Sequence, residues 1–147
     1  MKVLLLALSC LWTFASPIWE TDFEKARKEA VEKHHMILLN FSGSDWCGPC
    51  IRLKNEIFEN NAFLTFADQQ LVLLNADFPR SRKNQLSKEQ QKMNDALADK
   101  YNPEGHFPYT LLLDENGKVI KTWEGFPNTS PAGFVDQLKT SCNGAGK

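Results

Sequence analysis

The chain has 147 residues, 17 of them basic and 18 acidic, for a formal net charge of −1. That length suits one domain with a single core, and the balanced charge leaves no electrostatic footprint for nucleic acid. Charges are mixed along the sequence, with no long single-sign block and no internal repeat.

The N-terminus has the layout of an export signal. Lys2 supplies a short positive region, Val3 to Phe14 is apolar, and Ala15 and Ser16 are small residues ahead of Pro17. The apolar run is short for a stable bilayer anchor. Residues 1–16 are therefore expected to be a signal peptide and residues 17–147 the folded domain, exported to the periplasm or secreted. Lipid attachment at Cys10, after Ala7-Leu8-Ser9, is the alternative. Cleavage would remove Cys10 and leave Cys47, Cys50 and Cys142. An odd number suits one redox pair and a spare thiol better than a disulfide-stapled scaffold.

Thr21 and Glu24 have the spacing of a capping box, and the helix they open is expected to run to about Lys33 with Phe23, Ala26, Ala30 and Val31 inward. Met36 to Ser42 has the continuous apolar pattern of a strand buried on both faces, and Gly43-Ser44-Asp45 breaks it. Trp46-Cys47-Gly48-Pro49-Cys50 follows, then a helical stretch from Ile51 to Asn60 with Leu53, Ile57 and Phe58 inward. Pro49 sits just inside that helix start, where its missing N–H does no harm. Asn61 is expected to cap a short helical piece holding Phe63, Leu64 and Phe66.

Leu71 to Ala76 predicts a second buried strand, and Asp77 to Leu86 a polar, basic loop. Ser87 and Gln90 form another capping box, for a helix with Met93, Leu97 and Tyr101 inward that Asn102-Pro103 ends. Tyr109 to Leu113 and Lys118 to Trp123 predict strands, and the Asn116-Gly117 pair between them is a hairpin signal. Ser130 and Pro131 suit N-cap and N1 of a final helix carrying Phe134, Val135 and Leu138 inward. The order predicts an α/β domain. Its central sheet is mixed, the first two strands parallel and the last two antiparallel, with helices on both faces.

Two cysteines separated by two residues can close a disulfide and open it again when a thiolate attacks. That is reversible two-electron chemistry on other proteins' thiols. A zinc site would need two further ligands, and no second cysteine pair exists; His34 and His35 are adjacent at a helix end. No metal is expected.

The strand, Trp46-Cys47-Gly48-Pro49-Cys50 and helix order resembles the thioredoxin family. Phe107-Pro108-Tyr109-Thr110-Leu111-Leu112-Leu113-Asp114 carries the resemblance further, and Ser42-Gly43-Ser44-Asp45 is similar to its exported bacterial branch. The resemblance covers about Thr21 to Cys142. It implies a thioredoxin-like three-layer fold. It implies Cys47 as the nucleophile at a helix N-terminus, with a thiol pKa near 7 rather than about 8.5. Cys50, more buried, would be the resolving thiol. It also implies that Trp46 forms an apolar rim, that Gly48 and Pro49 shape the turn, and that Pro108 is a cis-proline facing the cysteines.

Phe107 departs from the smaller residues common before that proline and would add an apolar substrate contact. Asn40 departs too: cytosolic thioredoxins place a buried Asp there as proton acceptor, which Asn cannot be. Asp45 is a candidate substitute. The implied function is an exported thiol–disulfide oxidoreductase reducing protein disulfides. An oxidase or isomerase of the same fold, or a non-catalytic binding module around Trp46, Phe107 and Phe126, stays open. Implied partners are protein thiols and disulfides and a membrane-bound electron donor. A monomer is expected, and no cofactor beyond the Cys47–Cys50 pair.

Overall fold

Strand β2, Met36–Ser42, fixes the frame. It pairs parallel with β3 (Leu71–Asp77) on one side and antiparallel with β4 (Tyr109–Leu113) on the other. The computed structural model describes residues 17–145, so the expected signal peptide and Cys10 lie outside the described residues. Two more strands complete the sheet: a two-residue edge strand β1 (Trp19–Glu20) beside β3, and β5 (Val119–Glu124) antiparallel to β4. The order is β1-β3-β2-β4-β5.

Because side chains alternate along a strand, the sheet has two distinct faces. Ile37, Leu39 and Phe41 of β2 join Val72, Leu74 and Ala76 of β3 and Leu111 and Leu113 of β4 on one face. Helices α1 (Phe23–Lys33) and α4 (Lys88–Tyr101) cover it through Ala26, Ala30, Leu97 and Tyr101. Leu38, Leu71, Leu73 and Leu112 point to the other face. There they meet Leu53 of α2 (Gly48–Leu53), Phe63 and Phe66 of α3 (Asn61–Gln70), and Phe134 and Leu138 of α5 (Pro131–Ala145). Helices on both faces of one mixed sheet make the three-layer α/β architecture.

Local chemistry moves several expected boundaries. The N-cap of α1 is Asp22, not Thr21: its carboxylate accepts from the N–H groups of Glu24 and Lys25, an interaction charge strengthens. Thr21 instead offers its carbonyl to the Gln90 side chain. Asn60, not Asn61, caps α3 through Ala62 N–H. The helix after the cysteines is not uniformly α: Lys54–Phe58 forms a π turn. That turn still brings Ile57 and Phe58 inward.

Two expected core residues are out. Val31 is 54% and Met93 39% exposed. The α4 face is turned so that Asn94 is buried instead, because it does a polar job: its Nδ2 donates to the Asp77 carbonyl and its Oδ1 accepts from Gln90. Of the second capping box only one arm forms, Gln90 N–H to Ser87 Oγ, since the Gln90 side chain is used on Thr21 and Asn94. In the hairpin, Gly117 adopts φ +82°, and Asp114 Oδ1 accepts from the N–H groups of Asn116 and Lys118. The hairpin strand starts at Val119, one residue later than expected, with a register shift at Leu112/Leu113.

Asn94→Ala leaves the Asp77 carbonyl and the Gln90 amide short of their partner in a buried place. A loss of about 1–3 kcal/mol is expected, read as a lower urea midpoint at unchanged slope. An unchanged midpoint would remove Asn94 from the interactions that hold β3 to α4.

Candidate active site

The cysteine motif hangs from the end of β2. Gly43 to Asp45 make the turn, with Cys47 N–H donating to the Gly43 carbonyl at 2.9 Å. Gly43 lies so close under the Trp46 indole that any Cβ there would run into the ring. Cys47 is the N-cap of α2, in extended conformation, and its Sγ accepts from Cys50 N–H at 3.2 Å. Pro49 occupies the first turn. Cys47 and Cys50 are joined as a disulfide. The expected contrast in burial is absent: Cys47 is 4% and Cys50 6% exposed. In the disulfide each sulfur covers the other. What distinguishes them is position, with Cys47 at the cap and Cys50 in the first turn.

Below Cys50 the sheet turns polar. On the face that carries Leu38, Leu73 and Leu112, the next positions toward the site are Asn40, Asn75 and Thr110, paired across the strands. Thr110 Oγ1 donates to Asn40 Oδ1, and Asn40 Nδ2 donates to Asn75 Oδ1, both at 3.1 Å. One step further Ser42 faces Asp77 in register. Ser42 Oγ lies 3.1 Å from Asn75 Oδ1 and 3.0 Å from Asp77 Oδ1, so its single proton serves one of them at a time. Ser44 closes the chain, donating its N–H to Asp77 Oδ1 and its hydroxyl to Oδ2. Cys50, Asn40, Asn75, Ser42 and Ser44 line one cavity of about 340 Å³, with Lys54 and Phe58 on its outer side.

An aromatic wall stands on the other side. The Trp46 ring is half-buried and its Nε1 donates to the Phe78 carbonyl at 2.7 Å. Phe107 meets Trp46 edge-on at 5.4 Å and Phe78 at 5.6 Å. That contact brings the Phe107–Pro108 segment, whose peptide bond is cis, to the cysteine motif. His106 is held at the surface by Glu104 and Glu124 and packs on Tyr109.

Asp45 is not a stand-in for a buried acid. Its carboxylate accepts from Arg80 N–H, Ser81 N–H and Asn84 Nδ2, each at 2.9 Å. These bonds, that from Arg80 N–H first, hold its pKa below the usual carboxylate range. It laces the loop after β3 to the motif.

Among the described residues no three His, Cys, Asp or Glu side chains gather as a metal site. Cys142, in α5, is a free, half-buried thiol whose pKa burial pushes up.

Sequence reasoning found Asn40 but missed its neighbours Asn75, Ser42, Asp77 and Thr110. The signal was available in the period-two pattern: Leu38-Asn40-Ser42 and Leu73-Asn75-Asp77 change from apolar to polar at matching steps. Recognising it needed the register.

This geometry, a two-residue-spaced disulfide at a helix start on a mixed three-layer sheet, defines a thiol–disulfide oxidoreductase. Residues 23–140 match the thioredoxin-like domain family, and the chain belongs to it. The disulfide bond reductase DsbH of Chlamydia pneumoniae is 32% identical over 123 residues, which span 84% of this chain and 71% of that protein. The thioredoxin-related protein DsbJ of the same organism is 27% identical over 84% of this chain, but that match spans only 34% of DsbJ. A solved DsbH oxidoreductase superposes with a TM-score of 0.79 at 28% identity, over 95% of this chain and 94% of that one.

The lowered pKa fixes the sign of the Asp45 effect. A carboxylate depressed in the folded state ties the loop fully above its unfolded pKa, about 3.9, and releases it as pH falls through the lower folded value. Asp45→Asn should speed hydrogen exchange at the Arg80 and Ser81 amides near neutral pH. The parent should lose this protection only below the ordinary carboxylate range. Equal exchange in both proteins would leave the loop held by other contacts.

Proposed function

We propose that the protein is an exported protein-disulfide reductase in which Cys47 attacks and Cys50 resolves. The observation that carries the assignment is the N-cap geometry: Cys47 Sγ receives the Cys50 N–H. In the reduced protein the same donor and the positive end of the helix favour a thiolate at Cys47. That thiolate attacks one sulfur of a substrate disulfide. The substrate S–S bond breaks, a mixed disulfide forms, and one substrate thiolate leaves. Cys50, losing its proton, attacks Cys47 Sγ and releases the second substrate thiol. Two electrons pass to the substrate and the Cys47–Cys50 disulfide remains. Re-reduction needs a dithiol donor, and for an exported protein a membrane-bound partner is the source we propose. Trp46, Phe107 and Pro108 form the apolar side on which an extended substrate segment rests, and Gly48 and Pro49 shape the turn that carries both thiols.

Two features favour reduction: the uncharged Gly48-Pro49 between the cysteines, and likeness to a protein named a disulfide bond reductase. Export rests on the Lys2 to Ser16 pattern. We propose that the protein acts as a monomer on protein substrates. The direction is tested by equilibrating the Cys47–Cys50 pair with glutathione. A potential near −270 mV is expected, and one near −120 mV would make it an oxidant. Cys47→Ser should abolish insulin disulfide reduction, and Cys50→Ser should accumulate mixed disulfides. Adducts trapped by Cys47→Ser instead would reverse the roles.

Asn40 supplies hydrogen bonds to the floor but accepts no proton. The proton of Cys50 must then travel through water or hydroxyls in the cavity. Asn40→Asp places an acceptor under Cys50 and should raise turnover around neutral pH, toward the ~100-fold that marks the lower end of what a positioned base contributes. The comparison is of pH–rate profiles, with unfolding curves to check that the new carboxylate is tolerated. Overlaid profiles from a stable variant would mean that the existing network already carries the proton.

A further inference from the structure

We propose that the loop after β3 selects disulfides flanked by carboxylates, with Arg80 as the specificity-determining residue; this rests on the oxidoreductase reading above. The guanidinium of Arg80 lies over the Trp46 indole, 3.6 Å from the ring centre, next in sequence to Cys47. The stack orients a planar cation at the rim of the site and leaves its edge donors outward. Among the described residues that guanidinium has no ion pair and makes no hydrogen bond. The contrast with Arg52 is direct. Arg52 also lies over an aromatic ring, that of Phe126 at 4.0 Å, but it is already paired with Glu56 at 2.8 Å.

Arg80 has company. Arg82 and Lys83 lie in the 3₁₀ turn that follows, Arg82–Asn84. Both are exposed and, among the described residues, without an ion pair. The nearby acids already have hydrogen-bond partners within the chain. Asp45 spends its oxygens on the loop's own N–H groups, and Asp77 on Ser42 and Ser44. On the far side of Phe107, Glu104 and Glu124 are taken by His106. The charged side chains of the loop itself, Arg80, Arg82 and Lys83, are all cationic and without an ion pair among the described residues. The loop is also fixed in place, by Asp45 and by the Trp46 Nε1 bond to the Phe78 carbonyl, so little ordering is needed when a carboxylate arrives. The matching substrate is an extended segment whose disulfide cysteine has Asp or Glu nearby. Arg80 can take such a carboxylate through two parallel N–H groups.

The test uses synthetic peptides dimerised through one central cysteine and flanked on both sides by Glu, Gln or Lys. Pre-reduced protein is mixed with each in single turnover, and the second-order rate constants are compared as ratios. The Glu peptide should react about three- to ten-fold faster than the Gln peptide, and the Lys peptide more slowly than either. The preference should shrink toward one at about 0.5 M salt, where the Debye length is a few ångströms. Arg80→Gln should collapse the Glu-to-Gln ratio, whatever the rate on the Gln peptide itself, and Arg80→Lys should keep most of it. A ratio of one or less in the parent, or one undiminished in Arg80→Gln, overturns the proposal while reduction of the Gln peptide leaves the reductase reading standing. Failure to reduce any of the peptides would instead remove the reading on which it rests.

Discussion

Everything at the site hangs on the burial of β2. The strand is hydrogen-bonded to a neighbour on each side and covered on both faces, so no water competes for its backbone and its register cannot slip without exchanging the two faces. From that fixed end the chain needs only Gly43 to Trp46 to reach Cys47. Each residue of this short segment is tied. Gly43 passes under the Trp46 ring, Ser44 bonds Asp77, Asp45 bonds the loop at Arg80 and Ser81, and Trp46 bonds the Phe78 carbonyl. The ties of Ser44, Asp45 and Trp46 all run to one stretch of chain, the end of β3 and the loop beyond it. The site is a joint between two adjacent parallel strands at their C-terminal ends.

The same joint explains why the polar floor is tolerable. Five polar side chains gathered below a helix would be costly if any were left unpaired. Here they form a chain from Thr110 through Asn40, Asn75 and Ser42 to Asp77, and Ser44 completes it. The one formal charge, on Asp77, sits at the outer end, where the network meets the loop. The buried members, Thr110, Asn40 and Ser42, are all neutral, so no charge sits where desolvation would cost most.

How much of this could be read without the structure follows from which information each feature carries. The buried strands, the cysteine motif and the hairpin at Asn116-Gly117 are local patterns, and they fold where the pattern says. The caps slipped by one residue at Asp22 and Asn60 because several side chains in a row can cap, and only the backbone turn decides among them. Val31 and Met93 sit at helical spacing yet outside the core, since a hydrophobic stripe on a helix is broader than the face a sheet can cover. Asn94 escaped notice for the opposite reason: a buried amide looks like surface until its partners on β3 are known. The tie from Asp45 to Arg80, across thirty-five residues, leaves no trace in any local window.

The neutral floor also limits which groups can stand beneath Cys50. A carboxylate in place of Asn40 would be an acceptor placed for Cys50, but it would sit between Thr110 and Asn75 in a position only 6% exposed. Thr110 can donate to it, yet Asn75 would have to turn its amide group around to donate as well. The Ser42 hydroxyl would then accept from the flipped amide and give its single proton to Asp77. With Asn at position 40, Thr110, Asn40 and Asn75 bond to one another without that amide flip. Asn40 thus supplies order to the floor of the site and no proton acceptor. The open cavity beside Cys50 is walled by Ser42 and Ser44. The hydroxyls of that wall end on Asp77, the carboxylate at the outer end of the same network. The wall of the cavity and the hold on the active-site turn thus depend on the same few atoms.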